Sequence, residues 1–495
     1  MKSFNKPVMG ILDIQRRMTK SASVSTIISW VVPIVVFASV LLADAVISQS
    51  DGFFSQLFKD LRNLCWNSDQ QRMLYACLAM YFVILLVRSN RDGKPGFSSL
   101  NDSHLWLVVT MAIGSVAYGL HYAEAAGTPR ALVFLFGPVL GLGALDVTRL
   151  GRKKQRSFCP LLCALTGVLF LCSVWKRDSG FKSNYLGQQR WSGPWNNPNL
   201  FGLLVGVGLV LLLGIGFSFV GYCKSQGAKT ESAQWTKLRL WTLLLLWLGM
   251  AVAMSLALLR SYSRGAWLAT LCGLACLGFP VISYQSSVFG RWIRSNKASL
   301  AVIICALAVL ALWQFQQPQP AVARRASSVG NVNDFSWRNR IAAWEGALQI
   351  MAEQPWLGAG WNQPEPLYEH YYLPRKLTEN AAIQTNDYLM LGATLGIPAL
   401  FCFGMYLWLS LEWNEESRRQ PAESVERSET LPLACGAETW RRLVICCPFP
   451  QIICRAGGTV LLVGFWFDGG VFELATASLF WIMPELGRAD SVQHR

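Results

Sequence analysis

Long apolar runs separated by short polar segments make up most of the chain. Each run holds about 17 to 25 residues, which is enough for a helix to cross a hydrocarbon core of roughly 30 Å. The pattern predicts an all-α protein, a polytopic transmembrane helical bundle. We place its spans at 24–47, 73–88, 104–120, 130–150, 158–175, 199–223, 239–259, 262–284, 298–315, 387–411, 443–466 and 469–484. Because Pro448 and Pro450 interrupt the start of the eleventh run and the twelfth is short, we expect about 10 to 12 spans.

Two connections between these runs are long enough to form units of their own. Residues 316–386 form a polar loop rich in Pro and aromatic residues, and the periodicity of 340–354 predicts a short helix within it. Residues 412–442 are strongly charged and typical of a flexible linker. The linker at 412–442 therefore separates C-terminal transmembrane helices and a tail at 443–495 from the rest of the chain.

Composition and charge support a membrane protein and give its orientation. Of the 495 residues 53% are hydrophobic and 15% charged, whereas roughly a quarter are charged in an ordinary soluble domain. Short segments rich in Lys and Arg stay in the cytoplasm, which places both termini inside and the loop 316–386 outside. The net charge of +15 mainly reflects this topology and requires no nucleic-acid partner. The run at 24–47 is too long for a signal peptide, so we expect a retained first span.

The 14 cysteines do not indicate a disulfide framework or a metal site. Most lie within the predicted spans or on the cytoplasmic side, and the long outer loop has none. Cys159 and Cys163 have helical spacing, as do Cys272 and Cys276, but no His or acidic residues accompany them as metal ligands would. We interpret them as small packing residues.

Arginines at the outer ends of spans are the strongest candidates for chemistry. Arg260 and Arg264 lie in ALLRSYSRGAWLA between two apolar runs, where a charge is costly and calls for a partner. Ordinary snorkelling arginines in a loop are the alternative. Arg190, Arg338 and Arg340 lie in two other outer segments. Because the guanidinium fork donates paired, charge-assisted hydrogen bonds and keeps its charge, arginines from separate segments suit recognition of a diphosphate.

Acidic residues outside these segments give weaker signals. Asp468 and Glu473 lie in the apolar stretch FWFDGGVFELATASLFW, where they either line a polar cavity or mark the turn between the last two spans. Glu345 and Glu353 fall on the predicted outer helix and are interpreted as its solvated face.

Four stretches of the chain identify a family resemblance. They are WNNPNLFG at 195–202, SYSRGAW at 261–267, RIAAWEGALQIMAEQPWLGAGW at 340–361 and QTNDYLMLGATLGIPALF at 384–401. In this order, and with the long outer loop between the same pair of spans, they resemble the signature stretches of the O-antigen ligase and O-antigen polymerase superfamily. The resemblance spans roughly residues 185–411, which implies a core at 185–411 that includes the long loop and N-terminal transmembrane helices at 1–184.

The resemblance implies an all-helical glycosyltransferase of the C superfamily in the bacterial inner membrane. Its donor would be a glycan on undecaprenyl diphosphate, its active site would face the periplasm, and it would need no metal or nucleotide cofactor. The family's arginines match Arg190, Arg264 and Arg340, whose implied role is to bind the diphosphate and stabilise the charge that grows on it. The remaining candidates for substrate binding are Arg260, Arg338, Asn199, Thr385 and Asn386.

The fourth stretch departs from the family pattern. Ligases of this family often have a His immediately before the Asn, thought to assist the attacking hydroxyl, and Thr385 occupies that position here. A Thr hydroxyl is a poor general base at neutral pH. Asp387 is our candidate for a catalytic replacement, with a helix cap as its alternative role. Three further residues nearby could serve, namely Glu369, His370 and Glu379.

The function predicted on these grounds is transfer of a lipid-linked glycan to an acceptor hydroxyl in cell-surface polysaccharide or lipopolysaccharide assembly. The acceptor could be a lipid core, a growing glycan or a protein, and the absence of the His favours a polymerase-like or divergent transferase over a standard ligase. A membrane transporter of a small anion or solute is the alternative. It predicts paired ionisable residues within spans and inverted repeats, and neither is evident. A scaffolding role would make the outer arginines important only for folding.

Overall fold

The structure is a computed structural model. It describes residues 103–120, 130–135, 137–138, 141, 158–175, 184–185, 188–195, 197–226, 233–284, 324–325, 328, 334–361, 363–377, 380–411 and 450–488. The predicted spans at 24–47, 73–88 and 298–315, most of the span at 130–150, the linker at 412–442 and both termini lie outside these residues.

Ten α-helices account for most of the described residues. In chain order they are α1 (Ser103–Leu120), α2 (Phe158–Val174), α3 (Pro198–Gln226), α4 (Ala233–Arg260), α5 (Arg264–Tyr284), α6 (Phe335–Glu353), α7 (Pro364–Leu367), α8 (Asp387–Leu411), α9 (Pro450–Phe467) and α10 (Leu474–Arg488). Two short strands, β1 (Asn184–Tyr185) and β2 (Gln188–Gln189), pair antiparallel. The remaining elements are 3₁₀ turns at Gly193–Trp195 and Asn380–Thr385 and a π-helical turn at Tyr368–Tyr372. The all-α prediction is confirmed in this part of the chain, apart from the two-residue ladder.

Among the residues that the structure describes, two helices are long and apolar enough by themselves to cross a membrane. They are Pro198–Gly216 of α3 and the whole of α8, Asp387–Leu411. Five further apolar helices are shorter, at Ser103–Tyr118, Leu161–Val174, Leu245–Arg260, Arg264–Gly278 and Gln451–Phe467. Each coincides with a predicted span, and the outer helix predicted at 340–354 is α6. The count of about 10 to 12 spans and the placement of the outer loop stay predictions.

Helix α9 lies at the centre of the bundle, where it packs against α5, α3 and α10. It begins at Pro450, because a proline in the first helical turn loses no hydrogen bond. Small residues allow the close approach: a Cβ at Gly273 of α5 would meet Val460 and the carbonyl oxygen of Ala456 on α9. Such small-residue contacts are typical of helix packing in membranes.

A polar cluster closes the end of the bundle where α1 begins and α8 and α10 end. The Glu485 side chain is 3% exposed and lies 3.2 Å from Nε2 of His104 on α1. The hydroxyl of Tyr406 on α8 donates to the same carboxylate at 3.3 Å. A buried carboxylate without partners would cost free energy. The contacts of Glu485 with His104 and Tyr406 avoid this cost and link the ends of α1, α8 and α10.

Helix α8 is broken at Gly396, where the backbone adopts φ 86° and ψ 172°. The break leaves backbone groups unpaired, since Pro398 has no N–H to donate to the carbonyl of Thr394. The segment 355–360 supplies partners: Gly360 N–H donates to the Thr394 carbonyl at 3.0 Å, and Pro355 accepts from Ile397 N–H at 2.8 Å. The segment that follows α6 is therefore hydrogen-bonded directly to the middle of α8.

Candidate functional site

Arg190 joins the first outer segment to the turn between α4 and α5. Its Nε donates to the carbonyl oxygen of Ser261 at 2.8 Å, and its Nη2 donates to Oδ1 of Asn199 at 2.6 Å. The next residue continues the connection, because Trp191 N–H donates to the Arg260 carbonyl at 2.9 Å. Two predicted substrate-binding residues, Arg190 and Asn199, are therefore in direct contact.

Arg264 is the first residue of α5 and pairs with the start of α6. Its Nη1 lies 2.8 Å from Oδ2 of Asp334 and donates to the carbonyl oxygen of Ser328, also at 2.8 Å. Asp334 is also the N-cap of α6, where its Oδ1 accepts from Ser336 N–H at 3.0 Å. One carboxylate thus starts the helix that carries Arg340 and fixes the guanidinium of Arg264.

Arg340 lies on α6 and pairs with a carboxylate from the turn between α9 and α10. Its Nη2 is 3.0 Å from Oδ1 of Asp468, and these two side chains are only 13% and 2% exposed. The hydroxyl of Ser263 donates to Oδ2 of the same carboxylate at 2.5 Å. Gly265 is required beside it, because a Cβ there would overlap the Asp468 side chain. Asp468 lies in the turn between α9 and α10, as one of its two interpretations expected, and its carboxylate binds two other segments there.

A fourth arginine, Arg325, completes the cluster and was missed by the sequence analysis. Its guanidinium carbon lies 4.6 Å from the centre of the Tyr185 ring, within range of a cation–π interaction. Its Nε donates to the Tyr262 carbonyl at 3.2 Å. Tyr262 has a positive φ of 50°, which is uncommon for a residue other than glycine. In the sequence nothing distinguishes Arg325 from the other cations of the outer loop.

The pKa of Arg190 shows that the charges of the clustered arginines act on one another. The pKa of Arg190 is lowered to about 10, first by burial and then by the charges of Arg325, Arg340 and Arg264, while the charge of Asp468 acts in the opposite direction. The pKa of Arg325 is also lowered, first by burial and then by the charge of Arg264. Four guanidinium groups from separate segments are therefore close enough to repel one another.

Two carboxylates offset this repulsion only in part. Asp334 pairs with Arg264 and Asp468 with Arg340, so four positive charges face two negative ones and a charge of +2 is left. A partly desolvated site with excess positive charge favours a multivalent anion. We call Arg190, Arg264, Arg325 and Arg340 with their two carboxylates the arginine cluster.

Two predicted arginines stand apart from these contacts. Arg338 is exposed on α6, and two positions along a helix turn a side chain by about 200°, away from the face that carries Arg340. Arg260 ends α4 and is half-buried, and its charge and side-chain hydrogen bond act on the neighbouring Tyr262 hydroxyl. The structure brings together Arg190, Arg264 and Arg340, which the sequence alone could not show, and places Arg260 at the border of the cluster.

The fourth stretch lies at the N-terminus of α8. The Thr385 hydroxyl donates to the Ala382 carbonyl at 2.6 Å. Asn386 is the helix cap, since its Oδ1 accepts from Leu389 N–H at 3.0 Å. Asp387 is 4% exposed and accepts from Val471 N–H at 2.6 Å, so this carboxylate binds the turn after α9. Its alternative role as a helix cap is filled by Asn386 instead.

A carboxylate missed by the sequence analysis lies beside this stretch. Glu365 on α7 accepts a hydrogen bond from the side-chain amide of Gln384 and lies 3.6 Å from Nη1 of Arg130. Of the other base candidates, Glu369 and His370 are exposed on the π-helical turn, and Glu379 lies outside the described residues. Within the residues that the structure describes, no group of three or more His, Cys, Asp or Glu side chains could hold a metal ion.

The apolar helices and the cationic turns that join them are typical of a helical membrane protein, and the arginine cluster lies at one end of the described bundle. Residues 249–404 match the family model described as O-antigen ligase. This match covers the part of the chain that holds the second, third and fourth signature stretches, and it confirms the resemblance stated from the motifs. The matched range contains Arg264, Arg325 and Arg340, while Arg190 and Asp468 lie outside it. No curated protein matches the chain.

Proposed function

We propose that the protein transfers a glycan from an undecaprenyl-diphosphate carrier to an acceptor hydroxyl at the outer face of the inner membrane, in cell-surface polysaccharide assembly. The observation that carries this proposal is the convergence of Arg190, Arg264 and Arg340 from three separate segments of the chain. A diphosphate is the multivalent anion that the donor would present, and arginine forks match its paired oxygens.

The proposed reaction is a single displacement with inversion. The acceptor oxygen attacks the anomeric carbon, and the bond between that carbon and the phosphate oxygen breaks. The electron pair leaves with the diphosphate, and the hydroxyl proton passes to a base. Because negative charge grows on the departing diphosphate, fixed guanidinium groups stabilise the transition state more than the ground state. Cationic side chains would then do the work that a metal does in other transferases.

The carboxylates of the arginine cluster support this role by positioning. Asp334 and Asp468 each hold one nitrogen of an arginine at 2.8 Å and 3.0 Å, and a guanidinium has further N–H groups to offer a ligand. Groups that are already oriented lose little entropy and need little reorganisation when charge develops. We therefore assign Asp334 and Asp468 as positioning residues.

The base that takes the acceptor proton is proposed among the carboxylates in and beside the fourth stretch. The Thr385 hydroxyl already donates to a carbonyl and is not suited to accept a proton. Asp387 stays our candidate, and its contact with Val471 places it at the turn that begins with Asp468. Glu365 is a second candidate, because it contacts the side chain of Gln384 and is more accessible, at 24% exposure.

The orientation of the site follows from the predicted topology. The arginine cluster lies where α4 meets α5 and α9 meets α10, and the positive-inside pattern of the loops places these turns in the periplasm, with both termini in the cytoplasm. The carrier lipid would approach from the bilayer, and the acceptor, whether lipid core, glycan or protein, from the periplasm. Membrane lipids and these two substrates are the proposed partners.

The test is release of the lipid diphosphate. Protein purified in detergent is mixed with the lipid-linked glycan of its own host and an extract of native acceptor, and free undecaprenyl diphosphate is measured. We expect release by the wild type and a loss of roughly 10²- to 10³-fold in Arg264→Ala and Arg340→Ala. Arg375→Ala removes an exposed arginine of the outer segment and should keep wild-type activity. No release with intact donor and acceptor would reject the transferase in favour of a transporter or scaffold.

A further inference from the structure

A cavity lies at the C-terminal end of α6, apart from the arginine cluster. It measures about 250 Å³ and is lined by Ile350, Glu353, Gln354, Leu367, Tyr371 and Tyr372. Pockets that enclose whole drug-sized ligands measure roughly 300–1,000 Å³. The space is therefore suited to a single ring of a larger molecule whose remainder extends outside.

The lining combines an accessible aromatic face with hydrogen-bonding groups. The Tyr371 side chain is 75% exposed although it is large and partly apolar. It is carried on the π-helical turn Tyr368–Tyr372, and such turns occur often at functional sites. Tyr371 is in ring contact with His370 and Tyr372, at centroid distances of 6.2 Å and 6.4 Å.

Tyr372 and Glu353 give the cavity a defined polar edge. The Tyr372 hydroxyl interacts with the Glu353 carboxylate, and this interaction, together with burial, raises the pKa of Tyr372 to about 12. Both groups are therefore held in place, and the carboxylate keeps further lone pairs for other donors. Gln354 adds an amide that both donates and accepts.

The chemistry of this lining matches a sugar ring. The apolar face of a pyranose packs on an aromatic ring, and its hydroxyls need carboxylate and amide partners around the edge. A purely lipidic ligand would offer no hydrogen-bond partner to Glu353 and Gln354, and the negative charge of Glu353 would repel a diphosphate. The chemical class that satisfies both halves of the lining is a carbohydrate.

The position of the cavity relative to Arg340 agrees with this class. Ile350 and Arg340 lie ten positions apart on one helix, which corresponds to about 15 Å along its axis. Between them Gly346 packs directly against Tyr368, and a Cβ there would overlap that ring. A short oligosaccharide attached to a phosphate at the arginine cluster is long enough to span this distance.

We infer that the cavity between α6 and the π-helical turn is a sugar-binding subsite, in which Tyr371 stacks on one ring of the glycan and Glu353 and Gln354 bind its hydroxyls. The inference rests on the proposed function, because it names where the transferred or receiving glycan is held away from the reacting bond. A donor glycan and an acceptor glycan share this chemistry, and the experiment separates them.

Binding of lipid-free sugars tests the subsite without any reaction. Oligosaccharide released from the host's lipid-linked donor, and in a second series the acceptor oligosaccharide, is titrated into the detergent-solubilised protein by calorimetry. We expect Tyr371→Ala to weaken binding of one of them by about 2- to 10-fold, because the stacking of the sugar on the ring is lost. Tyr371→Phe keeps the ring and should bind within about twofold of the wild type.

The matched control is Trp356→Ala. Trp356 is as exposed as Tyr371, at 76%, but does not line the cavity, so its removal should leave sugar binding unchanged. Equal binding by Tyr371→Ala and the wild type, or no binding of either sugar by the wild type, would overturn the subsite. Thermal unfolding of each variant in the same detergent excludes a loss caused by misfolding.

Failure of the subsite and failure of the proposed function give different results. Arg340→Ala should lose diphosphate release and keep oligosaccharide binding, whereas Tyr371→Ala should keep kcat and raise KM. If diphosphate release requires Arg340 but sugar binding does not require Tyr371, the proposed transferase activity is supported and the subsite is wrong. If the wild type releases no diphosphate, the proposed function itself is wrong.

Discussion

Arg340 and Asp468 form an ion pair at 3.0 Å although they lie 128 positions apart in the chain. The carboxylate comes from the turn between the last two helices, outside the range matched by the family model, and the arginine lies within it. The C-terminal helices therefore contribute directly to the arginine cluster. Because Asp468 also accepts from Ser263, one carboxylate connects three segments of the proposed active site.

Replacing Asp468 tests this connection. Asp468→Ala leaves the half-buried Arg340 without its counterion, and breaking a buried pair on one side costs on the order of 3–5 kcal/mol. We expect a lower thermal midpoint in detergent and at least a tenfold loss of diphosphate release. Asp468→Asn retains an acceptor for one of the two donors and should be intermediate in both measurements.

A double variant separates stability from catalysis at this pair. In Arg340→Met with Asp468→Leu both charges are removed, and apolar pairs often replace buried ion pairs without loss of stability. We expect a thermal midpoint above that of either single variant and no recovery of diphosphate release. Recovered activity in the double variant would contradict a direct role of Arg340 in binding the diphosphate.

Asp334 combines a helix cap with an ion pair, and two substitutions separate these roles. Asp334→Asn keeps a good N-cap for α6 but removes the charge that holds Arg264, whereas Asp334→Ala removes both. We expect the Ala variant to unfold more easily by about 1 kcal/mol than the Asn variant. Diphosphate release should fall in both, because Arg264 loses its positioning partner in both. Wild-type release by Asp334→Asn would show that Arg264 needs no such partner.

Arg325 provides a prediction about substrate affinity. It stacks on Tyr185 and contacts the backbone of Tyr262, so it belongs to the rim of the cluster rather than to the pairs with carboxylates. We expect Arg325→Ala to raise KM for the lipid-linked donor by about tenfold, the value of one charge-assisted hydrogen bond, with a smaller change in kcat. Arg324→Ala changes the exposed neighbouring cation and serves as the control. Equal effects of the two variants would indicate a nonspecific charge effect.

The helices and three of the cluster's arginines could be predicted from the sequence, for a physical reason. Length and apolar character alone define a membrane helix, so α3, α5 and α8 begin within two residues of their predicted starts. Arg190, Arg264 and Arg340 were identified by the motifs around them. The ion pair between Arg340 and Asp468 was not predictable, because neither residue spacing nor periodicity shows that a carboxylate 128 positions away contacts this arginine.

Two further features lacked a recognisable signal or had one that was overlooked. Arg325 sits in a loop without periodicity, where no local pattern separates it from Arg324. The break in α8 did have a signal, since Gly396 and Pro398 stand two positions apart inside an apolar run. The prediction of an uninterrupted span at 387–411 was right in its limits and missed the break within it.

The break in α8 predicts a strong effect of one methyl group. At Gly396 the φ of 86° is strained for any residue with a Cβ, and that Cβ would also meet the carbonyls of Pro355 and Trp356. We expect Gly396→Ala to lower the free energy of unfolding by about 1–3 kcal/mol, read as a lower thermal midpoint. The segment 355–360 would lose its contacts with α8, and because α6 carries Arg340, diphosphate release should fall as well.

Gly404→Ala is the matched control in the same helix, since a Cβ there meets nothing within 4 Å and alanine favours the helix. Its midpoint should equal or exceed that of the wild type, and equal midpoints for both variants would show that the break in α8 does not hold the outer segment in place.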